Sequence, residues 1–167
     1  LRSRLFGFYA AFARLAQFTP RLATRMANLP LTKRLLGVAP QRSVPAYASE
    51  TFQRWVRRHT PHAHAGKRGA VILFNDEFTN YADPHLGRQA VEVLEAAGYE
   101  VRVPQGLQSG RTQISKGFLT SAQRQMERTV GALAEAAGDD LCIVGIEPSA
   151  ILGFRDEAPD LARGELK

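Results

Sequence analysis

The chain changes its hydrophobic rhythm once, near residue 69. Before that point apolar residues recur every three or four positions. In "LFGFYAAFARLAQF", Leu5, Phe8, Phe12, Leu15 and Phe18 fall on one face of a predicted helix. Thr19-Pro20 opens a second short helix, with Pro20 in the first-turn position where its missing N–H costs nothing. Leu29-Pro30 ends it, and "LTKRLLG" adds one or two turns closed by Gly37. "VAPQRSVPAYA", with Pro40 and Pro45, reads as an extended linker. Ser49 is the expected cap of a short helix, "ETFQRWVRRH", with Phe52, Trp55 and Val56 on one side.

From residue 69 the pattern is that of alternating strands and helices. "GAVILFND" is a continuous apolar run ending in polar residues, the mark of a buried parallel strand. The next helix is expected to face inward through Leu86, Ala90, Val93, Leu94 and Ala97, with Gly98 at its C-terminal end. "EVRVP" is a second strand. A long helical segment from Arg111, broken near Gly117, leads to a third buried strand, "LCIVGIE", and "PSAILGFRDEAPDL" starts as helix. This order predicts an α/β fold: a parallel sheet of at least three strands over residues 70–146 with flanking helices. A helical arm and connector, 1–68, precedes the α/β unit, 69–167.

Composition narrows the class. With 167 residues, 44% hydrophobic and 23% charged, the chain has the balance of a globular domain with a core. No apolar run approaches the length of a membrane span. A lone cysteine, Cys142, excludes an internal disulfide framework and fits a reducing, cytoplasmic compartment. It is expected to be buried inside the third strand. A first residue other than Met suggests a piece of something longer.

Charge is divided unevenly. Residues 1–68 carry thirteen Lys/Arg and one acid, Glu50, while residues 69–167 carry nine Lys/Arg and fifteen acids. The arm lacks the interleaved glycines, aromatics and module motifs of a nucleic-acid binder, so a protein contact is the preferred reading. Burying its apolar stripe contributes about 1.5–3 kcal/mol per large side chain before entropy. That stripe is expected to dock on a neighbouring domain, and in isolation the first twenty residues are expected to be loosely held.

Polar loops follow each predicted strand: "NDEFTNY", "QGLQSGR" and "EPSA". Ligands of parallel sheets gather at these strand ends. His59, His62 and His64 have the look of a metal set, but they lack a fourth ligand and a rigid support and read as a solvated linker. Asp76 and Asn80 are explained by local turn bonding, and Glu147 before Pro148 by a helix start. Arg111 either holds an anion or pairs with Glu147 or Asp76. Arg155 and Asp156 are expected to tie loops together. No serine–histidine–acid set is visible, since His85 is the only histidine in the same α/β unit as Ser109 and Ser149.

Taken together, "FNDEFTNYADPHLGRQAVEVLEAAGYEV", "GRTQISKGFL" and "GIEPSAILGFRDEAPDL" resemble the cysteine-rich CCG domain of iron–sulfur oxidoreductases. The nearest likeness is to fused proteins of the D-lactate, glycolate and D-2-hydroxyacid dehydrogenase type, in which an FAD-linked oxidase domain precedes iron–sulfur domains. The upstream "LPLTKRLLGVAPQRSVPAYASETFQRW" resembles the connector between a ferredoxin-like domain and the first CCG domain of that family. The resemblance implies a pattern of one cysteine, then a Cys-Cys pair, then Cys-x-x-Cys. The matching positions here are Glu77, Gln108 with Ser109, and Glu147 with Ala150. Their spacing survives, at 31 positions from Glu77 to Gln108 and 38 from Ser109 to Glu147. No cysteine does, and iron–sulfur clusters need thiolates.

The resemblance therefore implies a degenerate cluster site, lined by Glu77, Gln108, Ser109, Arg111, Glu147 and Ala150. No cofactor is expected on this chain, with FAD and iron–sulfur clusters elsewhere in the parent protein. Its implied partners are the neighbouring FAD and ferredoxin-like domains, with peripheral membrane association left open and no catalytic residue on this piece. The alternative is a small-carboxylate binding module built from the same polar loops.

Overall fold

A computed structural model describes residues 2–138 and 140–161. The arm is four short helices, α1 (Arg2–Gly7), α2 (Tyr9–Ala16), α3 (Pro20–Ala27) and α4 (Pro30–Leu36), followed after the linker by α5 (Phe52–Val56). The α/β unit runs β1 (Ala70–Phe74), α6 (Glu77–Tyr81), α7 (Pro84–Ala96), β2 (Glu100–Arg102), α8 (Arg111–Ser115), α9 (Leu119–Ala137), β3 (Ile143–Gly145), α10 (Pro148–Asp156) and α11 (Ala158–Leu161). The three strands are parallel, in the order β2-β1-β3. Ala70 pairs with Glu100, and Ile72 with both Arg102 and Ile143.

Strand β1 is central, and helices pack on both its faces. Ile72 and Phe74 point toward α9 and α10, where they meet Leu133 and Ala150. Leu73 points the other way, into a cluster with Phe52 and Val91. Strand β3 departs from the sequence reading. It is not a buried strand, because it lies at the sheet edge with Ile143 and Val144 partly in solvent. Cys142 just precedes it and is exposed, not buried, although its carbonyl accepts from Ile72 N–H at 2.9 Å. An apolar run signals burial only where other elements cover the strand, and β3 lies at an edge where that cover is incomplete.

Other local expectations also shift. The cap of α5 is Thr51, not Ser49; the Thr51 hydroxyl accepts from Arg54 N–H at 3.2 Å. Helix α7 buries Gly87, Val91 and Glu95, while Leu86 and Val93 face solvent. The inward face is therefore rotated from the predicted one. Gly87 lies on the buried face, and the Phe52 ring fills the space its side chain would take. The break between α8 and α9 falls at Gly117, which has φ of 75°.

The arm is held more firmly than its stripe suggests. The break at Phe8 takes Leu5 and Phe12 out of one helix, and Phe12, Leu15 and Phe18 are exposed. Tyr9 anchors the arm instead, stacking on Phe78 at 5.1 Å and facing Tyr47 at 6.2 Å. Ala10 and Ala13 are buried, and Thr112 donates to Gly7 carbonyl at 2.9 Å. The first half of the predicted loose segment is thus packed on α6 and α8. The linker is strapped as well. Asn28 accepts from Val44 N–H at 2.8 Å and donates to Val44 carbonyl at 3.1 Å.

Adding a methyl at Gly87 would place it 2.7–2.9 Å from three Phe52 ring atoms. Gly87→Ala is expected to destabilise the domain by about 1–3 kcal/mol, through overpacking of a filled core. Urea unfolding monitored by far-UV circular dichroism measures it.

Candidate functional site

The site begins where β1 ends. Asp76 caps α6, its carboxylate accepting from Phe78 N–H at 2.8 Å, Thr79 N–H at 3.0 Å and the Thr79 hydroxyl at 2.6 Å. The cap sets the first turn of α6 so that Glu77 is only 2% exposed. The Glu77 carboxylate then meets the loop after β2, where it accepts from the Ser109 hydroxyl at 2.8 Å and from Ser109 N–H at 3.0 Å. Ser109 Oγ in turn accepts from Arg111 N–H at 3.0 Å. Gly106 and Gly110, with φ of 77° and 74°, turn this loop through conformations that side chains disfavour.

Two more groups complete the lock. Thr129 of α9, fully buried, donates to Gln108 carbonyl at 2.8 Å. Asn80 accepts from Gln53 N–H at 3.0 Å, joining the site to α5. A narrow cleft of about 10 Å³ lies against Asp76, Glu77, Asn80 and Gln108. That is room for about one water molecule and no substrate. Burial pushes the Glu77 carboxyl above the ordinary range, and the bonds from Ser109 oppose the shift without cancelling it.

The six predicted residues do not form one pocket. Glu77, Gln108 and Ser109 come together. Ala150 is buried in the core beside Ile72 and Phe74. Glu147 caps α10, accepting from Ser149 N–H and hydroxyl at 3.0 Å. Arg111 pairs with Glu157, which corrects the expected partners Glu147 and Asp76. Arg155 and Asp156 pair with each other at the surface, so they tie no loops. Both Glu77 oxygens already accept from Ser109, and Ala150 offers only a methyl. This donor set does not fit an iron–sulfur cluster, which takes thiolates. Among the described residues, no group of three or more His, Cys, Asp or Glu side chains is placed to hold a metal.

A second buried carboxylate escaped the sequence reading. Glu95 on α7 accepts from His62 N–H at 3.0 Å and contacts His59 Nε2 at 3.0 Å. His59 also stacks on Trp55, with ring centroids 4.3 Å apart. His59 is therefore a clasp holding the 57–69 loop to α7, not part of a solvated linker. The one available signal was Glu95 on the same helix face as Val91, four residues on.

Comparison with known proteins places this geometry in context. The chain is 28% identical over 149 residues to one of the subunits of the anaerobic glycerol-3-phosphate dehydrogenase of Escherichia coli K12, a match covering 86% of this chain and 37% of that protein. It is 26% identical over 176 residues to the D-2-hydroxyglutarate dehydrogenase of the same organism, covering 99% of this chain and 17% of that protein. Over 67 residues it is 34% identical to lactate utilization protein A of Bacillus velezensis, covering 40% of this chain and 28% of that protein. The chain is related to segments of bacterial oxidoreductases. It spans little more than a third of the curated relatives' length, or less. No family model matches it, and no solved structure does. Among the described residues no helix is long and apolar enough to cross a membrane.

The raised Glu77 carboxyl makes stability depend on pH. A carboxyl whose folded pKa exceeds its unfolded value contributes stability that is full below the unfolded value and is lost as pH rises through the folded one. Glu77→Gln keeps an acceptor for Ser109 N–H and cannot ionise. Relative to this variant, the native chain is expected to lose stability as pH rises above the ordinary glutamate range, by at most one proton's worth per pH unit. Urea midpoints of both proteins across a pH series measure the difference.

Proposed function

We propose that this chain is part of an FAD-linked, iron–sulfur-associated D-2-hydroxyacid dehydrogenase or oxidase, in which it serves as a cluster-less cysteine-rich-like domain that docks and holds neighbouring domains. The observation that carries the reading is the Glu77–Ser109 bond pair. Two positions that match cluster cysteines in spacing are joined here directly, oxygen to nitrogen and oxygen to oxygen, at 2.8–3.0 Å. The bond pair links the loops after β1 and β2, a connection that a shared cluster makes through metal and sulfur. The names of the relatives, glycerol-3-phosphate dehydrogenase, D-2-hydroxyglutarate dehydrogenase and lactate utilization protein, support the reaction class.

The docking role is supported by the outer face of the arm. Leu15, Phe18, Leu22, Met26, Leu31 and Leu35 are all more than half exposed. Residues 1–49 contain no acid and eight Lys/Arg. Exposed large apolar side chains in such number mark contact sites, and the excess of basic residues gives such a contact orientation and rate. The ferredoxin-like and FAD domains of the parent protein are the proposed occupants, and the FAD and clusters they carry supply the redox chemistry.

Two measurements test the reading. Anaerobic reconstitution of residues 1–167 with iron and sulfide is expected to give no cluster absorbance, and a stoichiometric cluster would overturn the assignment. With residues 1–167 and the flavin- and cluster-bearing parts of the parent protein produced as separate chains, Phe18→Asp with Leu22→Asp is expected to weaken retention of those parts by the domain at least tenfold, while circular dichroism of the domain stays unchanged. Unaltered retention would sink the docking role.

A further inference from the structure

A cavity of about 450 Å³ lies between the arm and the α/β unit, within the range of small-molecule sites. It is separate from the Glu77–Ser109 lock. Its apolar wall is aromatic: Phe6, Tyr9 and Phe78 line it. Its polar lining carries Arg111, Ser115, Lys116 and Glu147. No histidine or cysteine is among its described lining residues.

The hydrogen bonds already made show which groups are available. The Thr112 hydroxyl is committed to Gly7 carbonyl, and the Ser149 hydroxyl to Glu147. Arg111 meets Glu157 through Nη1 alone, which leaves other guanidinium donors. Lys116 Nζ sits 5.5 Å from the Phe6 ring centroid, with no carboxylate partner among the described residues. Two cations thus line the cavity with three rings and Glu147, and Glu157 holds one end of Arg111.

We infer that this cavity binds an organic monocarboxylate with an aromatic or bulky apolar body, its carboxylate on Lys116 and Arg111 and its body against Tyr9, Phe78 and Phe6. Charge-assisted donors suit the head, and ring faces suit the body. Glu147 selects against a second negative group and against inorganic dianions, since a like charge in a half-buried site is costly. Burial keeps the Tyr9 phenol protonated well above its usual range, so the aromatic wall stays uncharged. The site gives the ligand-binding alternative a definite location, in a place where Gln108 and Ser109 take no part. It does not depend on the docking role of the arm.

The test is titration calorimetry of residues 1–167 with 3-phenylpropionate, paired with amide chemical shifts. Saturable binding is expected, with shifts centred on residues 111–116. Lys116→Gln, at an exposed position that leaves the fold alone, is expected to weaken binding about tenfold, the loss of about 1.4 kcal/mol. Phenethylammonium, with a similar body and the opposite charge, and inorganic phosphate are expected not to bind. No saturable signal at millimolar 3-phenylpropionate would overturn the proposal. So would binding that Lys116→Gln leaves unchanged, equal binding of phenethylammonium or phosphate, or shifts that map outside the cavity.

Discussion

One buried carboxylate joins the ends of two strands. Glu77 leaves β1 and Ser109 leaves the loop after β2, and their two hydrogen bonds close the carboxyl end of the sheet. The groups nearby are arranged to allow that contact. Asp76 caps α6 so that Glu77 turns inward, and Thr129 holds Gln108 so that Ser109 presents both its N–H and its hydroxyl. A carboxylate in such a place loses its water and regains only part of that through its donors. The raised pKa is the trace of the imbalance.

The same arrangement appears on the opposite face. Glu95 is buried and held by His59 and the His62 backbone, much as Glu77 is held by Ser109. Both acids tie a long connection to the α/β core. Short helices alone do not give a 68-residue arm and connector a fixed path, because each is too brief to be stable without packing. Tyr9 on Phe78, Asn28 on Val44 and His59 on Glu95 supply that path at three points along it. What remains exposed is the outer side of α2 to α4, where apolar and basic side chains alternate without acids.

The strand-end loops therefore divide into two regions with different physics. Around Glu77 the space is narrow and nearly filled, and the polar groups there satisfy one another. Around Arg111 and Lys116 the space is open, and cationic donors face aromatic rings.

The sequence by itself determined the parallel α/β order, the break near Gly117, the helix start at Pro20 and the end of that helix before Pro30. These are local: they follow from apolar runs, from the fixed φ of proline and from the freedom of glycine at positive φ. Only the tertiary structure decided the rest. An apolar run does not say which other elements will cover a strand, so β3 and Cys142 proved exposed. Helical periodicity does not say which side a ring from another element will occupy: Phe52 packs on α7 at Gly87, while Leu86 and Val93 face solvent. Nor does spacing choose among acids for a partner: Arg111 took Glu157 and Glu147 took Ser149, because side chains pair by distance in space rather than along the chain.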